Sequence, residues 1–123
     1  MPVLDTNFLI ALDSQDEAAI ALLHELRAER LLVPDVVAAE YLTPLGARAA
    51  EGYQAIARAF TPASTSKEWV LAAAALRQRL RKEKRSIRLA DFWIAAWAEL
   101  EDTFVVTRSE KDFAAMGIKT RAW

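Results

Sequence analysis

At 123 residues, with 54% hydrophobic and 27% charged residues, the chain has the size and make-up of one folded domain over 1–123 and not of a disordered segment. Its 16 basic residues offset 17 acidic ones to a net charge of −1, so affinity for nucleic acid has to come from a local basic patch. The lack of cysteine excludes disulfides, thiolate zinc sites and thiol catalysis, and a single histidine, His24, cannot serve a mechanism that needs two imidazoles.

The start of the chain has neither the basic region nor the apolar run of a signal peptide, and no stretch reaches the roughly 18 apolar residues of a spanning helix. A cytoplasmic protein without a membrane partner is therefore expected. Residues 3–6 (VLDT) read as a short buried strand, with Pro2 tolerated at its first position. Residues 7–30 read as helix broken around Asp13-Ser14-Gln15; in the second half Ile20, Leu23 and His24 form an apolar stripe, with Leu22 and Leu26 alongside. His24 on that stripe reads as structural. Leu31–Val33 is a second strand, and Pro34-Asp35 opens the helix VVAAEYL. Helix resumes over 46–60.

Residues 61–68 (TPASTSKE) read as a loop and a helix start, with Thr65 and Glu68 at capping-box spacing. An alanine- and leucine-rich helix follows over 69–85, and another over 89–101. TFVVT at 103–107 is the clearest strand. Residues 109–116 form a short helix, Gly117 is the residue just past its end, and 118–120 form a terminal strand. Strands alternating with helices predict an α/β sandwich around a mainly parallel sheet. In such sheets ligands gather at the carboxyl ends of the strands, where Asp5 and the stretch Thr107–Asp112 fall.

Four acids stand out. Asp5, between a buried strand and a helix, is either a helix cap, a role open also to Thr6 or Asn7, or a ligand. Glu40 follows Val36 and Val37 by four and three residues and shares their helical face; alone it reads as a solvated glutamate near a helix end. Asp91 shares its face with Ile94, Ala95 and Ala98 and points inward, which a favourable helix dipole does not account for. Asp112 fits a capping box from Ser109 and is also near a strand end. Together they suggest an acidic pocket of hard oxygen ligands, which repels itself without a cation. Such ligands suit Mg²⁺ or Mn²⁺ and the hydrolysis of phosphate esters.

These segments, LDTNFLIAL, VVAAEYL, SIRLADFWIAAWA and TFVVTRSEKDFAAMGI, resemble a PIN-domain ribonuclease, most closely the VapC-type toxins of toxin–antitoxin pairs. The resemblance covers nearly the whole chain. It implies a three-layer α/β/α sandwich and a Mg²⁺- or Mn²⁺-dependent endoribonuclease site. By position, Asp5, Glu40 and Asp91 match the core acids, and Asp112 matches the acid of the closing stretch, Glu40 and Asp112 acting directly or through water. Thr107 matches the threonine of that stretch, and Asn7 matches a residue that orients the first aspartate. Ser109 stands where the family has asparagine; it is shorter, and acts through water or holds Asp112. The resemblance also implies a homodimer, an inhibitory cognate antitoxin, and contact with operator DNA through that antitoxin.

Residues 77–88 (RQRLRKEKRSIR) hold seven basic residues and one acid. They read as a track for an RNA backbone or as a solvated helix end. Arg81, Lys82, Arg85 and Arg88 are the candidate contacts, and Arg88 is nearest to Asp91. Trp93 and Trp97, one turn apart, suit packing or a subunit contact. Two other functions fit the residues: a nuclease for structured DNA or RNA processing, and a binding module that kept the fold and lost the activity.

Overall fold

The computed structural model describes residues 1–81 and 86–123. Lys82 and Arg85, within the last four positions of the helix expected over 69–85, lie outside the described residues, and that helix already ends at Arg79, with Leu80 as its cap. The elements run β1 (Val3–Leu4), α1 (Thr6–Asp13), α2 (Glu17–Glu25), β2 (Leu32–Pro34), α3 (Asp35–Leu42), a 3₁₀ turn (Thr43–Arg48) and α4 (Ala49–Ala59). They continue with β3 (Thr61–Ala63), α5 (Lys67–Arg79), α6 (Leu89–Leu100), β4 (Val105–Val106), α7 (Glu110–Ala115) and β5 (Thr120–Arg121).

The five strands form one sheet in the order β3-β2-β1-β4-β5, with every pairing parallel, inside a three-layer α/β/α sandwich. A parallel sheet covered on both faces needs apolar side chains on both, which is why β1, β2 and β4 are uninterrupted buried runs. The order steps one way from β1 to β2 and β3, then the other way to β4 and β5. The switch point thus lies between β1 and β4. There Val3 pairs with Val105 and Leu4 with Val106, and the Asp5 amide carries the ladder on to the Val106 carbonyl at 3.1 Å. Register therefore sets Asp5 beside Thr107.

Helix α6 is buried nearly all round: Phe92, Ile94, Ala95, Ala96, Trp97 and Ala98 join the core. Its alanines let it approach β1 and β4 closely, and Trp97 stacks on Trp69 of α5 with ring centroids 3.9 Å apart. Trp93 is half-buried and donates to the Thr65 hydroxyl at 3.2 Å. Helix α7 ends as its glycine predicts. Gly117 takes φ +74°, its amide bonds Ala114 and that of Ile118 bonds Phe113, the paired bonds of a Schellman cap.

Three local expectations are corrected. The stripe of α2 is rotated: Ala19, Leu22 and Leu26 are buried, while Ile20 and His24 are exposed. Residues 61–63 are a strand, not a loop. β3 is an edge strand, and an edge tolerates Pro62, whose missing N–H costs no ladder bond there. The Thr65–Glu68 capping box does not form. Pairing of β3 with β2 carries Thr65 over Asp35, whose carboxylate accepts both the Thr65 amide (2.8 Å) and hydroxyl (2.6 Å). Ser66, at the cap position of α5, makes no side-chain cap bond.

Candidate active site at the sheet switch point

Asp5 is 3% exposed, directly after two strand residues with no exposure at all. One carboxylate oxygen accepts the Thr6 amide at 2.7 Å, at the positive end of α1, and the other accepts the Thr107 hydroxyl at 2.6 Å. Asp5 is thus both the cap of α1 and a member of a buried network. Burial raises its pKa; the bonds from Thr107 and Thr6 oppose this, the charge of Asp91 adds to it, and that of Arg88 opposes it.

The Thr107 hydroxyl is fully used. It donates to Asp5 and accepts from the Ser109 amide at 2.9 Å and from Asn7 Nδ2 at 3.4 Å. Asn7 Nδ2 also reaches the Ser109 hydroxyl at 3.5 Å. The Asn7 Oδ1 is buried without a partner among the described residues, one more hard oxygen in the same network. Ser109 occupies the cap position of α7 but makes no side-chain cap bond there, so the capping box that would give Asp112 a purely structural role is incomplete.

Asp91 lies in the first turn of α6 and is 3% exposed. Burial raises its pKa; the hydrogen bond and charge of Arg88 oppose this, and the charges of Asp112 and Glu40 add to it. Glu40 sits in the last turn of α3, a helix end that disfavours negative charge. Its partners come from elsewhere: the Thr6 hydroxyl at 3.3 Å and Arg88 at 3.3 Å. The Arg88 guanidinium bridges Glu40 and Asp91, 3.3 Å from each, and the three surrounding acids raise its own pKa.

The fold therefore brings Asp5, Glu40, Asp91, Asn7, Thr107, Ser109 and Arg88 into one hydrogen-bonded and charged region, with Asp112 near enough for its charge to act on Asp91. Arg81 is exposed and outside this network. The donor set fits an oxygen-preferring divalent cation in chemistry and charge: carboxylates, two of them buried with raised pKa, plus an orphaned amide oxygen. Its spacing is more open. Among the described residues no three acidic or imidazole side chains converge closely enough to hold a metal ion, and Arg88 stands between two of them. The sequence marks Arg88 as a substrate contact; its bridge between Asp91 and Glu40, and the Thr6–Glu40 bond, emerge only in the folded chain. The i, i+3 spacing of Arg88 and Asp91 was the available signal for the first.

Residues 3–119 match the family model described as PIN domain. The chain belongs to the PIN-domain family. No curated protein sequence matches it. Among solved structures, this PIN domain is similar to VapBC2 from Rickettsia felis bound to a DNA fragment from their promoter, with TM-score 0.85 and 19% identity over 98% of this chain and 97% of that one. A toxin–antitoxin complex from Klebsiella pneumoniae matches with TM-score 0.72 and 26% identity, covering 93% and 91%. The sarcin–ricin-loop-cleaving toxin VapC20 of Mycobacterium tuberculosis matches with TM-score 0.68 and 20% identity, covering 96% of each chain. No helix among the described residues is long and apolar enough to cross a membrane.

Proposed function

We propose that this PIN-domain protein is a Mg²⁺- or Mn²⁺-dependent endoribonuclease and the toxin half of a VapBC-type toxin–antitoxin pair. The observation that carries the reading is the pair of buried acids, Asp5 and Asp91, each with a raised pKa, at the switch point of a parallel sheet. Buried like charges are costly to keep without a task for them. Asp5 and Asp91 would hold the ion, with Glu40 and Asp112 completing the shell directly or through water. A bound divalent ion supplies an acidified water and neutralises charge at the phosphoryl oxygens. Thr107 and the Thr6 amide fix the Asp5 carboxylate, and Asn7 and Ser109 fix Thr107.

Arg88 and Arg81, with Lys82 and Arg85 beside them in sequence, would draw the RNA backbone to the pocket. The homologous complexes support an antitoxin partner that carries the contact with operator DNA, and the family resemblance supports a homodimer in the cytoplasm. A silent binding module is the second reading, and the guanidinium that bridges Glu40 and Asp91 is the observation that favours it.

Cleavage of labelled RNA by the purified protein separates the two. The expected result is internal cleavage with Mn²⁺ or Mg²⁺, abolished by EDTA. Asp91→Asn should lower the rate by at least the roughly 100-fold upper end found for residues that only support metal ligands. Undiminished cleavage in EDTA at matched ionic strength refutes the metal, and no cleavage with either ion favours the silent module.

A further inference from the structure

We infer that Arg88 is a built-in counter-ion of the acid pocket, which a divalent cation must displace, so that this side chain sets the concentration at which the pocket takes up metal. The inference rests on the reading of the carboxylates as ion holders. Its geometric basis is the bridge: Nη1 lies 3.3 Å from Glu40 Oε2 and Nη2 lies 3.3 Å from Asp91 Oδ1. A guanidinium on those oxygens and a metal on the same oxygens exclude each other, because both draw on the same lone pairs and the charges repel.

The grip is built to be released. Arg88 occupies the cap position just before α6, with extended backbone (φ −65°, ψ 145°) and no cap bond of its own. Its side chain is 63% exposed while that of Asp91 is 4% exposed, so the cation reaches in from solvent to a buried anion. Contacts of 3.3 Å are long for charge-assisted bonds, and half-solvated pairs of this kind are weak. The guanidinium stays charged, so it leaves by rotation and not by losing a proton. Swung outward, it stands at the pocket rim three residues from Asp91, with its charge available to a phosphate. One side chain then screens the acids when metal is scarce and faces substrate when metal is bound.

The test measures Mn²⁺ binding to the intact protein, without RNA, by the loss of the free-ion paramagnetic resonance signal. Arg88→Gln should bind Mn²⁺ about 2- to 30-fold more tightly than wild type, the range expected for removing two weak ion pairs. Arg88→Lys, which keeps the charge, should return the affinity toward wild type. Arg79→Gln is the control, since Arg79 pairs with Glu99 and touches none of the pocket acids. Equal or weaker Mn²⁺ binding in Arg88→Gln overturns the inference and leaves the acid pocket standing. An equal gain in Arg79→Gln also overturns it, because net charge alone would then suffice. Failure of all four proteins to bind Mn²⁺ overturns the acid-pocket reading and this inference with it.

Discussion

The Asp91 carboxyl is buried in the first turn of α6, and burial, together with the charges of Asp112 and Glu40, raises its pKa against the pull of Arg88. Asp5 is raised for the same first reason. In the unfolded chain these groups titrate near 3.8, so the folded protein holds their protons more tightly. Their contribution to stability is therefore complete below that value and is lost as pH rises through the raised folded values. Asp91→Asn removes the charge and almost no volume. In EDTA the variant should gain stability over wild type as pH climbs from about 4 to 7, with little gain at the acid end. Denaturant unfolding across that range measures the gap. A gap that stays constant with pH would mean that Asp91 ionises as freely folded as unfolded, and would remove it from a repelling pocket.

Three of the four acids are placed by helix starts: Asp5 caps α1, while Asp91 and Asp112 lie in the first turns of α6 and α7. The partial positive charge there favours each anion, and Glu40, at the far end of α3, depends on Thr6 and Arg88 instead. Where these helices end matters as much, because an element that frays moves its acid. Helix α7 is only six residues long and is stopped by Gly117. A Cβ at Gly117 would meet no atom within 4 Å, yet its φ of +74° is one that L residues resist. Gly117→Ala should therefore cost about 1 kcal/mol through backbone strain alone, with no steric term. The urea midpoint checks this. An unchanged midpoint would show that α7 does not rely on its Schellman turn.

At the scale of the whole molecule the charge is nearly balanced, and the distribution carries the function. A net charge of −1 gives no general attraction to RNA, so the stretch over 77–88, with its seven basic residues, has to supply it. Among its described residues, Arg79 is engaged by Glu99, and Arg88 by Glu40 and Asp91. Replacing Arg81, Lys82 and Arg85 together by glutamine should weaken binding of single-stranded RNA while leaving Mn²⁺ binding intact. The dependence of log K on log salt should flatten by about 0.7 per lost phosphate contact. Wild-type affinity and slope in the triple variant would reduce the stretch to a solvated helix end. Loss of antitoxin binding with RNA binding unchanged would assign it to the partner.

Local chemistry made much of this protein readable along the chain. A short apolar run ending in an aspartate marks β1 and Asp5; Ile94, Ala95 and Ala98 on one face turn Asp91 inward; Val105–Val106 stands alone as a strand. Each depends on neighbours within about one or two helical turns, so periodicity and composition suffice. What escaped depends on partners far along the chain. Residues 61–63 become a strand only because β2 lies beside them and the edge forgives Pro62. Thr65 gives up a cap for Asp35, thirty residues away, and α2 turns His24 outward because packing against its neighbours fixes the phase of its stripe. The bridge from Arg88 to Glu40 spans 48 residues, and the bond from Thr107 to Asp5 spans 102. Spacing along a chain records which residues share a helical face. Only the folded sheet, by its register and its switch point, decides which distant acids come together and which cation stands among them.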